Sequence, residues 1–181
     1  MKKYGILMAV VGVLLIITGC NDMMNTPTRR VEEYLGKYQS LDSNVLTDLD
    51  SVMDESNYSN NYKEKYKELF IKQYQNLSYK IKNEDTNGDN ATVTVEIEVF
   101  DYNTSLEKSN DYIKEHQNEF KSDDKMTSLE KEDEYKIKEL KNVTDKVSYT
   151  IVFRLVKDNK KWVLEKVSDN DIKKIHGLYK D

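Results

Sequence analysis

Residues 91–99 alternate without a break, with Val93, Val95, Ile97 and Val99 on one side and Thr92, Thr94, Glu96 and Glu98 on the other. Successive side chains of a strand point to opposite faces, so this pattern describes a strand with one face buried and one face wet. Such a strand requires an antiparallel sheet covered on one side only, and it excludes an all-helical bundle. Residues 77–82 repeat the pattern with Leu77, Tyr79 and Ile81. Matching the apolar faces pairs Ile81 with Val93 and Tyr79 with Val95. A two-residue Asn87-Gly88 turn would set Ile81 opposite Thr94, so the connection must hold an odd number of residues, or the strand a bulge. A second pair spans residues 146–156 and 162–167. Pairing Leu155 with Trp162 and Phe153 with Leu164 leaves Asp158-Asn159 as its turn, with residues that tolerate a left-handed backbone.

Helices precede the sheet. Thr26-Pro27 is a start signal, because threonine caps and proline at the first position loses no hydrogen bond. Val31, Tyr34, Leu35, Tyr38 and Leu41 then fall on one face,. A short second helix carries Val45, Leu49, Val52 and Met53. A third, over residues 61–76, carries Tyr62, Tyr66, Leu69, Phe70 and Tyr74. Its tyrosines fit either an aromatic platform for a sugar or peptide or a core with hydroxyls at its rim, and their helical spacing favours the core. Residues 105–146 form two charged amphipathic stretches, one with Leu106, Ile113 and Phe120, the other with Leu129, Tyr135 and Leu140. They read as an inserted helical pair at a solvated edge, with a mobile arm or a partner surface as the alternatives. Asp169 or Asp171 starts a last short helix ending near His176-Gly177. The expected fold class is therefore α+β: N-terminal helices packed on a curved antiparallel sheet of about four strands, with a charged helical insertion.

Three helices, a strand pair, an insertion and a strand pair closing in Lys160-Lys161-Trp162-Val163-Leu164-Glu165 resemble the nuclear-transport-factor-2-like, or cystatin-like, cone superfamily over residues 26–168. The resemblance implies a sheet wrapped around a long helix. It also implies either an interior pocket with an acid or histidine, as in the superfamily's isomerases and dehydratases, or no catalytic role, as in many other members.

The other strong pattern lies at the start of the chain. Met1-Lys2-Lys3 is basic, residues 6–17 are apolar, and Ile17-Thr18-Gly19 precede Cys20, the single cysteine. The apolar run falls short of the roughly 20 residues of a spanning helix, so a cleaved leader is favoured over an uncleaved anchor. The four residues resemble the bacterial lipobox, with Ile17, Thr18 and Gly19 recognised by the signal peptidase and Cys20 receiving a covalent diacylglycerol. The expected layout is a signal peptide at 1–19, a short tether at 20–25 and one domain at 26–181 facing the extracytoplasmic side of a cell membrane. Two acyl chains hold a protein on a bilayer where one holds it weakly.

Loss of Lys2 and Lys3 makes the mature chain more acidic than the −5 of the full sequence. That balance argues against nucleic acid as a partner, since no lysine and arginine stripe is present to neutralise phosphates. Charged residues, 34% of the chain, alternate in sign and read as solvated surface,. Arg29 and Arg30, close to the tether, are candidates to meet anionic lipid.

The apolar strand faces hold no acid, base or nucleophile, so an enzyme is not expected. His116 and His176 lack a metal-ligand spacing and read as surface residues. Asp85, Asn87, Asp89 and Glu96 stand at the first, third, fifth and twelfth positions of a calcium-loop spacing, although Asn90 replaces its turn glycine and strands flank it,. A plain polar connection is the expectation, so neither a metal nor a cofactor beyond the lipid is anticipated. The expected function is a lipid-anchored, non-enzymatic binding or interaction module with an unidentified protein partner. The alternative is a cone-fold small-ligand binder or enzyme whose pocket is lined by Tyr62, Tyr66 or Trp162.

Overall fold

A computed structural model of the chain describes residues 25–54, 60–121 and 128–180. Ile17, Thr18, Gly19 and Cys20 lie outside the described residues. The elements are α1 (Pro27–Gln39), α2 (Ser43–Asp54), α3 (Asn60–Gln75), β1 (Ser78–Asn87), β2 (Asn90–Phe100), α4 (Tyr102–Glu115), α5 (Ser128–Lys141), β3 (Lys146–Asp158), β4 (Lys161–Leu164) and α6 (Asp169–Ile175). The fold is α+β, with an antiparallel sheet in the order β1-β2-β3-β4. Among the described residues no helix is long and apolar enough to cross a membrane.

Thr26 caps α1 by accepting from the Arg29 N–H at 3.1 Å, and Pro27 opens the helix. Val31 and Leu35 are fully buried against the sheet, where α1 contacts β1, β2 and β4. The alternation of β2 holds throughout: Val93, Val95, Ile97 and Val99 have no exposure. Ile151, Phe153 and Leu155 of β3 join them in the core. Leu41, just past α1, takes the left-handed backbone at φ 55° that glycine commonly supplies at a helix end,. Its side chain packs on the core, which offsets that strain.

Both hairpins correct the sequence reading. In the first, Ile81 faces Val95 and Tyr79 faces Ile97, two residues beyond the expected partners. The connection is a two-residue Gly88-Asp89 turn. A bulge between Ile81 and Asn83 restores the parity that this turn would otherwise break,. Gly88 supplies the positive φ, 61°, at the first central position of a II′-type turn,. In the second, Leu155 faces Leu164 and Lys157 faces Trp162. The turn is Asn159-Lys160, with φ 48° and 66°, as a I′ turn requires,. The shift brings Trp162 under the Lys157 ammonium, 4.8 Å from its ring centroid. The last helix is capped by Ser168, which accepts from the Asp171 N–H at 3.1 Å, and not by Asp169 or Asp171.

The insertion is more than a solvated edge. Asp101 caps α4, and α4 and α5 pack on each other and, through α5, on α3. Phe100, Tyr102, Ile137 and Leu140 close a second apolar cluster with Tyr62 and Leu69. Leu129, expected on the apolar stripe, is 62% exposed, while Ile137 takes the buried position. Tyr112 stacks on Tyr135 at 5.0 Å between ring centroids and on His116 at 4.0 Å.

At the end of α6, Gly177 has φ 70° and lies so close to β2 that a Cβ there would collide with the Phe100 carbonyl and the Gln73 amide. Gly177→Ala is therefore expected to cost roughly 3 kcal/mol, read as a lower denaturant midpoint. Lys160→Gly relieves a left-handed lysine and is expected to stabilise by about 0.5–1 kcal/mol in the same measurement.

Candidate functional site

Helical spacing builds a cleft between α2, α3 and α6. On α2, Val45, Asp48 and Leu49 stand three and four residues apart and share a face,. On α3, Tyr66, Phe70 and Tyr74 stand four apart and form the facing wall. Ile172 of α6 and His176, the cap at its C-terminal end, again four apart, close one end together with Leu178, and Tyr38 from the last turn of α1 closes the floor. The space between them is about 480 Å³, within the range of small-molecule sites.

The aromatic rings form one connected array. Tyr38 meets Tyr74 edge-on at 5.0 Å and Tyr34 at 5.5 Å between centroids. His176 lies 5.1 Å from Phe70 and 5.7 Å from Tyr74. Two polar pairs satisfy the buried ends of these rings: the Tyr34 and Tyr38 hydroxyls at 3.2 Å, and the Tyr74 hydroxyl with His176 Nε2 at 3.0 Å. Burial is the main reason the phenols of Tyr34, Tyr38 and Tyr74 titrate above the usual tyrosine range, and the charge of Asp48 pushes each further upward. Burial lowers His176 from 6.5 to about 4, so its imidazole is neutral at physiological pH. Asp48 itself is exposed and is the one formally charged group among the described residues lining the cleft.

His176 corrects the sequence reading, which put it at the surface; it is half-buried between α3 and the sheet end. Of the three residues expected to line a pocket, only Tyr66 lines this cleft. Tyr62 belongs to the second cluster under the insertion, and Trp162 sits at the β3–β4 hairpin. The tyrosines of α3 act as core and as wall together. Asp48 was not singled out from the sequence, although it interrupts the apolar face Val45, Leu49, Val52 at its i+3 position, which was the available signal.

The calcium spacing is not gathered into a site. Asp85 and Asn87 end β1 and Asp89 lies in the turn, whereas Glu96 faces Lys80 six residues along β2 from Asn90. Glu96 is ion-paired to Lys82 at 2.8 Å. At about 3.4 Å per residue that places it roughly 20 Å from the turn. Among the described residues no group of three or more His, Cys, Asp or Glu is placed to hold a metal ion.

The start of the domain is fastened to the sheet. Asn25 donates to the Lys160 carbonyl at 2.7 Å and accepts from the Trp162 N–H at 3.2 Å. Arg29 pairs with Glu32 and Glu33, each at 3.6 Å, and Arg30 with Glu33 at 2.7 Å. Their charges are thus paired within α1. Asn25 and Tyr38 stand at opposite ends of α1, about 20 Å apart by helical rise.

The class of protein these features define is an α+β fold with an aromatic cleft between its helices. A scan against protein-family models finds no match, and a search of curated proteins finds none. Among solved structures the chain is similar to a candidate lipoprotein (ycdA) of Bacillus subtilis subsp. subtilis str. 168, at 14% identity and a TM-score of 0.46. The likeness covers 75% of this chain and 45% of that one, so this chain spans less than half of that protein. At that score the likeness carries no function from one to the other.

The neutral state of His176 makes stability pH-dependent. With a folded pKa of about 4 against 6.5 unfolded, the unfolded chain binds the proton more tightly, so the contribution is complete above pH 6.5 and is lost as pH falls toward 4. The loss is about 3 kcal/mol at most. Urea unfolding between pH 7 and 4 is expected to show this fall, and His176→Gln is expected to flatten it.

Proposed function

We propose that this chain is a lipid-anchored, extracytoplasmic binding module that holds a small apolar ligand in the cleft between α2, α3 and α6 without transforming it. The observation that carries the reading is the cleft: about 480 Å³, walled by aromatic rings and open to solvent beside a single carboxylate. A binding site needs apolar surface that is already assembled, because ordering it on contact would subtract from affinity. Here the rings are held in place by one another and by two polar pairs at 3.2 and 3.0 Å.

The absence of conversion is supported by the chemistry of the lining. His176 is a weak base at about 4 and its Nε2 is engaged with Tyr74, whereas a general base works best with a pKa near the working pH. The small-ligand alternative raised by the sequence is thus absorbed into the main reading, with the pocket among the helices and not between helix and sheet. The element order continues to resemble the cone superfamily and supports a domain of that kind.

The anchor is the diacylglycerol expected on Cys20. Five residues from Cys20 to the clamped Asn25 reach at most about 17 Å, so the β3–β4 hairpin end stands next to the headgroups. The cleft begins at the other end of α1, about 20 Å from the Asn25 clamp by helical rise.

Two measurements test the two halves. Cys20→Ala is expected to move the protein from the membrane to the soluble fraction and to remove the diacylglycerol mass; retention on the membrane would contradict the anchor. For the cleft, calorimetry with neutral 4-phenylbutan-1-ol on the full-length protein in nanodiscs is expected to show saturable binding, weakened about tenfold or more by Val45→Trp, which fills the space. Heat unaffected by Val45→Trp, or no saturable heat from the alcohol or from a charged probe of the same skeleton, would sink the binding reading.

A further inference from the structure

The charge in and around the cleft narrows the ligand further, resting on the binding reading above. Among the described lining residues there is one carboxylate, Asp48, and no lysine or arginine. His176 adds no positive charge at neutral pH. The walls present the faces and edges of Tyr38, Tyr66, Phe70 and Tyr74, whose ring faces carry negative potential. Asp48 is close enough to act on its aromatic neighbours, since its charge disfavours ionisation of Tyr34, Tyr38 and Tyr74. Among the described residues it has no ion-pair partner, whereas Asp50, one position away from the cleft face, is taken by Lys67 at 2.6 Å. Asp48 lines the aromatic space instead.

An aromatic enclosure with one unpaired carboxylate at its mouth is complementary to an organic cation. The apolar body of such a ligand fills the cleft, and its ammonium group sits between the ring faces and Asp48. We infer that the cleft takes a small organic cation, an amine or quaternary ammonium on an aryl or alkyl body, with Asp48 as its counter-ion. An anion of the same shape meets repulsion from Asp48 and from the ring faces, and a neutral molecule gains only the apolar contact. Charge therefore sets selectivity, while the volume sets size.

Calorimetry with three probes of one skeleton tests this: 4-phenylbutyltrimethylammonium, 4-phenylbutan-1-ol and 4-phenylbutyrate. The full-length protein is held in nanodiscs of an uncharged galactolipid, with heats from empty discs subtracted. The cation is expected to bind about tenfold more tightly than the alcohol, and the acid more weakly than either. Asp48→Asn, an exposed and near-isosteric change, is expected to lower affinity for the cation by about five- to tenfold and to leave the alcohol unchanged. Added salt is expected to weaken the cation in the native protein more than in the variant. If the cation binds no better than the alcohol, or if Asp48→Asn leaves its affinity unchanged, the assignment to a cation is overturned while the binding reading stands. If none of the three binds, both fall.

Discussion

Gln73 is a fully buried amide in the last turn of α3, and the way α6 meets α3 and the end of β2 follows from how it is satisfied. Its Nε2 donates to the Phe100 and His176 carbonyls, each at 2.9 Å, and its Oε1 accepts from the Phe100 N–H at 2.9 Å. Each of those backbone groups would cost about 1–3 kcal/mol if buried unpaired. One side chain thereby joins three segments distant in sequence: the end of α3, the end of β2 and the end of α6. The approach is so close that residue 177 has no room for a side chain, and the positive φ needed there also favours glycine,.

That junction positions the cleft. Fixing the His176 carbonyl fixes the ring beside it, and the ring then meets Tyr74 and Phe70 on the adjacent turns of α3. Phe100 is shared in turn between this junction and the cluster under α4 and α5, so the insertion is continuous with the main body. The clamp at Asn25 lies at the opposite end of α1 and β2. The Asn25 clamp and the cleft are therefore separated along the molecule.

Much of this was legible as periodicity. The buried face of β2, the helical faces of α1 and α3 and the Thr26-Pro27 start all appear as spaced residues, because burial of a face repeats at 2 or 3.6 residues whatever the partner. Register was less legible. Matching apolar faces gave the parity of the first hairpin, yet the turn moved to Gly88-Asp89 and a bulge at Ile81 absorbed the difference. Two registers that differ by two residues bury the same faces, and the choice falls to the turn backbone. The positive φ values at Gly88, Asn159 and Lys160 made that choice. The calcium spacing failed for a related reason: twelve residues wound through a hairpin do not converge as they do in a loop between helices.

The sequence by itself determined the α+β class and the one-sided sheet, since each rests on local pattern. The tertiary structure decided that Asp48 faces aromatic rings, that His176 is neutral and half-buried, and that the inserted helices close a second core. Those properties belong to residues brought together across long stretches of chain, and neither a carboxylate's neighbours nor a histidine's desolvation is written in the spacing of its own segment.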